Sequence, residues 1–196
     1  MGADAGAVEA IVIALRVAHA IEGAGGSYFV GGSLASSLQG EPRATNDIDI
    51  VLSLPIGRIG QLVSLLGADF EVDTDMLRDA LLRGRSCNIF FLPDVMKIDL
   101  FGVGPSPFDH EEFGRRKPMA VRPTGETLVL KSPEDTVLRK LLWHREGGGV
   151  SERQWRDVVE VLRVSGVGMD SDYLSSWARR LGLSDALDRC LAESRA

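Results

Sequence analysis

The run Asn46-Asp47-Ile48-Asp49-Ile50-Val51 carries two carboxylates separated by one apolar residue. Side chains alternate across a strand, so a strand here sets Asp47 and Asp49 on one face and Ile48 and Ile50 on the other. Two like charges a few ångströms apart are costly unless a cation neutralises them, and paired carboxylate oxygens suit Mg²⁺. A third acid, Asp99, lies in Met96-Lys97-Ile98-Asp99-Leu100-Phe101 and again alternates with apolar neighbours. Each run alone also describes an ordinary strand with an exposed polar face. If the two strands are neighbours, the three acids meet on one surface, and that surface suits metal-assisted phosphoryl transfer.

Upstream, Phe29-Val30-Gly31-Gly32-Ser33 reads as a strand passing through a glycine pair into a helix. Backbone N–H groups at a helix N-terminus, with no β-carbon in front of them, make a seat for phosphate, and the Ser33 hydroxyl adds a hydrogen bond. A tight turn with Ser33 as N-cap is the plainer alternative. No Gly-Lys-Ser/Thr follows, so this is not a P-loop, and the dinucleotide glycine pattern is absent.

Taken in order, with thirteen residues between Ser33 and Asp47, these features resemble the nucleotidyltransferase superfamily typified by DNA polymerase beta, over residues 27 to 101. The resemblance implies that Gly31, Gly32 and Ser33 hold a nucleoside triphosphate. It also implies that Asp47 and Asp49 bind Mg²⁺ and that Asp99 joins the metal set and helps activate the attacking hydroxyl. Further on, Glu134-Asp135, Lys140 and Arg156-Asp157 look like the pattern of bacterial AbiEii-type nucleotidyltransferases, the toxins of certain toxin–antitoxin pairs. That likeness puts Lys140 near the triphosphate and makes Asp157 a supporting acid, with Arg156 where the family has Lys. A solvated helix face, with Arg153 and Asp157 as an i,i+4 ion pair, is the alternative for these residues.

The implied activity is transfer of a nucleoside monophosphate from an NTP to an acceptor hydroxyl, with release of pyrophosphate. The implied acceptor is a tRNA end in a toxin, or a protein or a small molecule such as an aminoglycoside in other branches; an antitoxin protein would be a partner. A non-catalytic nucleotide sensor or toxin–antitoxin interaction module is the alternative class. Arg78, Arg83, Arg85, Arg115, Arg116, Lys117 and Arg122 could rim an RNA acceptor, although scattered arginines usually serve as solvated surface.

The elements that must position these residues follow from periodicity and punctuation. A helix is expected over Ala7 to Ile21, then strands over Ser27 to Val30 and Asp47 to Leu52 flanking a helix over Ser33 to Leu38. Helices over Pro55 to Leu66 and Asp75 to Leu82 flank a strand near Phe70 to Val72. Cys87 to Leu92 and Met96 to Phe101, joined through Pro93-Asp94, form a hairpin. A charged segment from Phe108 to Lys117 precedes strands at Ala120 to Val121 and Thr127 to Leu130. Beyond it, Ser132-Pro133-Glu134-Asp135 is a capping box that starts a helix ended by Gly147-Gly148-Gly149, and helices follow over Ser151 to Val164, Asp170 to Leu181 and Ser184 to Glu193. The expected class is α/β (α+β), a mixed sheet flanked by helices, with a catalytic domain at residues 1–131 and a helical subdomain at 132–196.

Composition is consistent with this and excludes several classes. The 196 residues are 44% apolar and 26% charged, as in ordinary globular proteins. The net charge of −6 lacks the basic excess of a protein that coats nucleic acid. Cys87 and Cys190 stand far apart without zinc-ligand spacing, and His19, His110 and His144 share that lack. The apolar N-terminal run has no basic leader and carries Glu9, Arg16 and His19, so it reads as a helix of the fold, and no membrane span is expected. A soluble cytoplasmic protein is the expectation. Glycine is abundant, 22 residues against a usual ~7%; most bound elements, and Gly31-Gly32 is the pair placed at the candidate site.

Overall fold

The structure is a computed structural model that describes residues 2–42, 45, 47–121 and 125–195, with side chains from residue 9 onward. Two compact units are formed, one from Met1–Leu34 and Arg43–Lys131 and one from Ala35–Pro42 and Ser132–Ala196.

The first unit is built on a seven-stranded mixed sheet with strands β1 (Ser27–Val30), β2 (Asp47–Ser53), β3 (Phe70–Glu71), β4 (Ser86–Phe91), β5 (Met96–Gly102), β6 (Lys117–Ala120) and β7 (Thr127–Leu130). Their order is β3-β4-β5-β2-β1-β7-β6. β2 lies parallel to β5 and β1 parallel to β7, while the other adjacent pairs are antiparallel. Helix α3 (Ile59–Leu66) touches both α1 (Gly2–Gly23) and α4 (Thr74–Arg83), and α1 touches β1, β2 and β7 while α4 touches β4 and β5. The residues that alternate with the acids form the core of this unit. Ile48, Ile50, Ile89, Ile98 and Leu100 have no exposed surface, each contributing about 1.5–3 kcal/mol by leaving water. That burial fixes the register, because a slip by one residue would drive Asp47, Asp49 and Asp99 into the core.

α2 (Gly32–Gln39) starts in the first unit, and its residues from Ala35 on belong to the second. The rest of the second unit is helical: α6 (Pro133–Glu146), α7 (Glu152–Ser165), α8 (Ser171–Leu181) and α9 (Ser184–Ser194). Each start has a local cause. Ser132, Ser151 and Asp170 accept hydrogen bonds from the backbone N–H groups of Asp135, Gln154 and Tyr173, satisfying donors that a helix end leaves open. Val137, Leu138, Leu141, Val158, Val159, Leu162, Leu174 and Leu187 make the buried stripes.

Four local expectations are corrected. Ser33 lies inside the first turn of α2 rather than at its cap, because the helix already begins at Gly32. Pro55 to Leu66 is a short 3₁₀ turn at Ile56–Arg58 followed by α3. The charged segment folds as α5 (Pro107–Gly114), started by a reciprocal Ser106–Asp109 capping box with proline in its first turn. The strand expected at Ala120–Val121 is β6, which runs from Lys117 to Ala120, so that Pro118 sits on an edge strand, where a missing N–H is tolerated. Among the described residues, no helix is long and apolar enough to cross a membrane.

Candidate functional site

The parallel pairing of β2 with β5 sets Asp49 directly beside Asp99 and Asp47 beside Lys97. Neighbouring strands lie about 4.8 Å apart and residues i and i+2 of a strand about 6.6 Å apart, so Asp49 and Asp99 stand one strand spacing apart, with Asp47 two residues along the same face. The structure thus joins the two acid-bearing strands. The next strand extends the row, since Asn88 on β4 stands opposite Asp99.

On the other side of Asp49 comes the glycine turn. The Gly31 N–H donates to the Asp49 carbonyl at 2.8 Å, which ties the turn to the acid strand. Gly32 has φ +54°, and a β-carbon there would fall 1.6 Å from Asp49 Oδ2. Glycine is therefore required twice, by the left-handed backbone and by the approach of the carboxylate. Gly31 is closely packed too, because a β-carbon on it would lie 3.2 Å from Lys131 Cε. Lys131 follows β7, is 4% exposed, and donates to Glu112 Oε1 of α5 at 3.1 Å. This buried ammonium beside the glycine pair escaped the sequence reading. Its one local cue was a lysine directly after an apolar strand.

A cation stands among the acids. Lys97 Nζ donates to Asp99 Oδ2 at 2.7 Å, with the lysine side chain 40% and the Asp99 side chain 13% exposed. The hydrogen bond to Asp99 raises the Lys97 pKa above its ordinary value; burial opposes this, and the charges of Asp99, Asp47 and Asp49 reinforce it. Asp47 Oδ1 also accepts from the Thr45 hydroxyl at 3.0 Å. The second oxygen of Asp99 is different: Oδ1 is buried and has no hydrogen-bond partner among the described residues. A buried carboxylate oxygen left in that condition costs on the order of 1–3 kcal/mol.

These observations fit a divalent cation. An orphaned carboxylate oxygen, two further carboxylates on the same face and a glycine that keeps the space beside Asp49 free of a side chain form an all-oxygen donor set of the kind Mg²⁺ prefers. Among the described residues, no group of three or more His, Cys, Asp and Glu side chains is gathered about one metal position as the side chains stand. Lys97 holds Asp99 instead.

Lys140 and Asp157 lie in the second unit. Lys140 Nζ donates to Asp157 Oδ2 at 2.7 Å and to Gln154 Oε1 at 3.1 Å, and the two charged side chains are 3% and 10% exposed. The Ser36 hydroxyl of α2 also donates to Asp157 Oδ2, at 3.4 Å. Arg122 of the suggested basic rim lies outside the described residues. Arg83 and Arg85 both face Asp79, and Arg116 covers the Phe113 ring at 4.1 Å.

Comparison with solved structures bears on the fold. An antigenic nucleotidyltransferase-like protein from Paracoccidioides brasiliensis superposes with a TM-score of 0.58 at 16% identity, covering 97% of this chain and 94% of that one. The fold is that of nucleotidyltransferase-like proteins. The antibiotic-resistance factor ANT(2'')-Ia shares this nucleotidyltransferase-like fold, with a TM-score of 0.53 at 15% identity over 94% of both chains. A second ANT(2'')-Ia structure, in complex with adenylyl-2''-tobramycin, gives 0.54 at 15% identity over 89% of this chain and 97% of that one. No protein-family model matches the sequence, and no curated protein does.

Proposed function

We propose that the chain is a divalent-metal-dependent nucleotidyltransferase that moves a nucleoside monophosphate from an NTP to an acceptor hydroxyl. The observation that carries this reading is the register of β2 on β5, which sets Asp49 against Asp99 beside a glycine turn that leaves no room for a β-carbon. Asp47, Asp49 and Asp99 would hold Mg²⁺, which when bound supplies neutralisation of triphosphate and carboxylate charge. Gly31, Gly32 and Ser33, at the start of α2, present backbone N–H groups and a hydroxyl to the phosphates. Asp99 positions the acceptor hydroxyl and takes its proton. The acceptor oxygen then forms a bond to the α-phosphorus, the bond from that phosphorus to the bridging oxygen breaks, and pyrophosphate leaves with the electron pair.

Lys140 and Asp157 enter this reading through the resemblance to AbiEii-type enzymes, as nucleotide-side groups of a helical subdomain at 132–196 that follows a catalytic domain at 1–131. The acceptor has two readings. The tobramycin adduct of ANT(2'')-Ia supports a small polyhydroxylated acceptor, and the toxin resemblance supports a tRNA end, with an antitoxin as partner. The cytoplasm, where NTP and Mg²⁺ are abundant, is the proposed location.

Incubation with α-labelled NTPs, Mg²⁺ and separate pools of tRNA, protein and aminoglycoside tests the proposal. Label on one pool together with pyrophosphate release is expected, and both should vanish in Asp47→Ala and Asp49→Ala. NTP binding without any pyrophosphate release would favour the sensor alternative, and full transfer by the two variants would overturn the metal assignment.

A further inference from the structure

Lys97 has no part in the reaction as proposed, yet it makes the closest polar contact that Asp99 has. Its ammonium is 2.7 Å from Asp99 Oδ2 and, through the β2–β5 register, next to Asp47. Three carboxylates on one face would repel one another strongly if uncompensated. Lys97 is the compensating charge at Asp99, and it compensates incompletely, because Asp99 Oδ1 remains buried without a donor among the described residues. The two partners differ in freedom. Asp99 is 13% exposed and fixed on a central strand, whereas the Lys97 side chain is 40% exposed and long enough to swing its head into water.

We propose that Lys97 is a resident surrogate cation: it occupies Asp99 in the metal-free protein, and a divalent ion entering the acid row must displace it. This rests on the reading of the acid row as a metal site. Lys97 thereby acts as a positioning residue. It keeps the acids on one face while no metal is bound, and it sets the metal affinity by competition, since an ammonium and a divalent ion seek the same carboxylate. Once displaced, its charge is free beside the row.

The test is binding of Mn²⁺ alone, without nucleotide, followed by the electron-paramagnetic-resonance signal of free Mn²⁺. Lys97→Met should tighten the Kd by about tenfold, the scale expected when one like charge is deleted a few ångströms from a partly solvated site. It should also lower the metal-free melting temperature and enlarge the rise that Mn²⁺ produces. Lys97→Arg should stay near the wild-type Kd. An unchanged or weaker Kd in Lys97→Met, with Mn²⁺ still bound by the wild type and lost in Asp49→Asn, would overturn the competition alone and leave the metal site standing. Absence of Mn²⁺ binding in both the wild type and Lys97→Met would overturn the metal site and the competition together.

A measurement on the wild type covers the case in which Lys97→Met does not fold. Acylation of Lys97 by an amine-reactive ester, read by mass spectrometry, should quicken when Mn²⁺ is added, because the amine leaves its carboxylate. An unchanged or slower rate would sink the competition.

Discussion

The two units each hold a lysine against aspartate at the same distance, 2.7 Å, and use it in opposite ways. In the second unit Lys140 meets Asp157, and Gln154 and Ser36 add hydrogen bonds, with both charges out of water. In the first unit Lys97 faces three acids, remains 40% exposed, and leaves one buried oxygen of Asp99 without a donor. A matched, buried pair is a fixture that joins helices, because nothing can replace either member without stranding the other. A cation outnumbered by carboxylates at a partly open surface is exchangeable. The difference shows that the stoichiometry and exposure of charge, more than the presence of an ion pair, separate a fastener from a binding site.

The strongest way to break this comparison is to remove charge from the exchangeable side. Asp49→Asn should lower nucleotidyl transfer by a factor on the order of 10³, the scale for loss of a group that stabilises transition-state charge. Its melting temperature in the absence of metal should hold or rise, since one of three like charges is gone. A variant that loses activity because it unfolds, as seen in a thermal melt, would contradict the reading of these acids as a mutually repelling row.

The second test strikes the fixture. Lys140→Met leaves the Asp157 carboxylate buried without its cation, and breaking a buried pair in this way costs about 3–5 kcal/mol. Urea unfolding should show that loss, and Lys140→Met combined with Asp157→Leu should recover much of it, because both charges are then replaced by apolar groups. Unaltered stability would show that the pair is no fixture and erase the contrast.

Much of what the contrast rests on was legible, and the remainder was hidden for identifiable reasons. An aromatic and β-branched run marked β1 at Ser27–Val30, period-two alternation marked the acid faces of β2 and β5, and serine caps at Ser132 and Ser151 marked α6 and α7. The adjacency of β2 and β5 was not legible. Parallel pairing joins Asp49 to Asp99 across fifty residues, and no local pattern encodes which strands of a mixed sheet become neighbours. Lys97 was visible in the acid run but acquired its role only through that pairing. Lys131 and Glu112 were hidden in the same way, since an ion pair between the end of β7 and α5 needs the tertiary fold. α5 itself was a missed local signal: Ser106-Pro107 with Asp109 is a helix start, and the charge density of the segment obscured it.

The smallest effect is a matter of pH, and it is read at Cys190 in the second unit. Each unit contains one buried thiol, Cys87 on β4 and Cys190 on α9. Burial pushes both upward, Cys190 to about 12, with Glu193 adding and Arg189 opposing; for Cys87 the charges of Asp73 and Asp99 add. In the unfolded chain a cysteine ionises near its ordinary value of about 8.5. Between that value and about 12 the unfolded state therefore holds fewer protons at Cys190 than the native state, and stability falls as pH rises. Below the lower bound the group contributes no slope. Replacing Cys190 with Ala, an apolar residue that does not titrate, should remove up to about 1.4 kcal/mol per pH unit from the alkaline decline, after a constant cavity cost visible at pH 7. Urea midpoints at pH 7, 9 and 10 measure both quantities. Equal slopes for the variant and the wild type would show that the Cys190 thiol ionises freely in the native helices, and the second unit would then be more open to water than its buried Lys140–Asp157 pair implies.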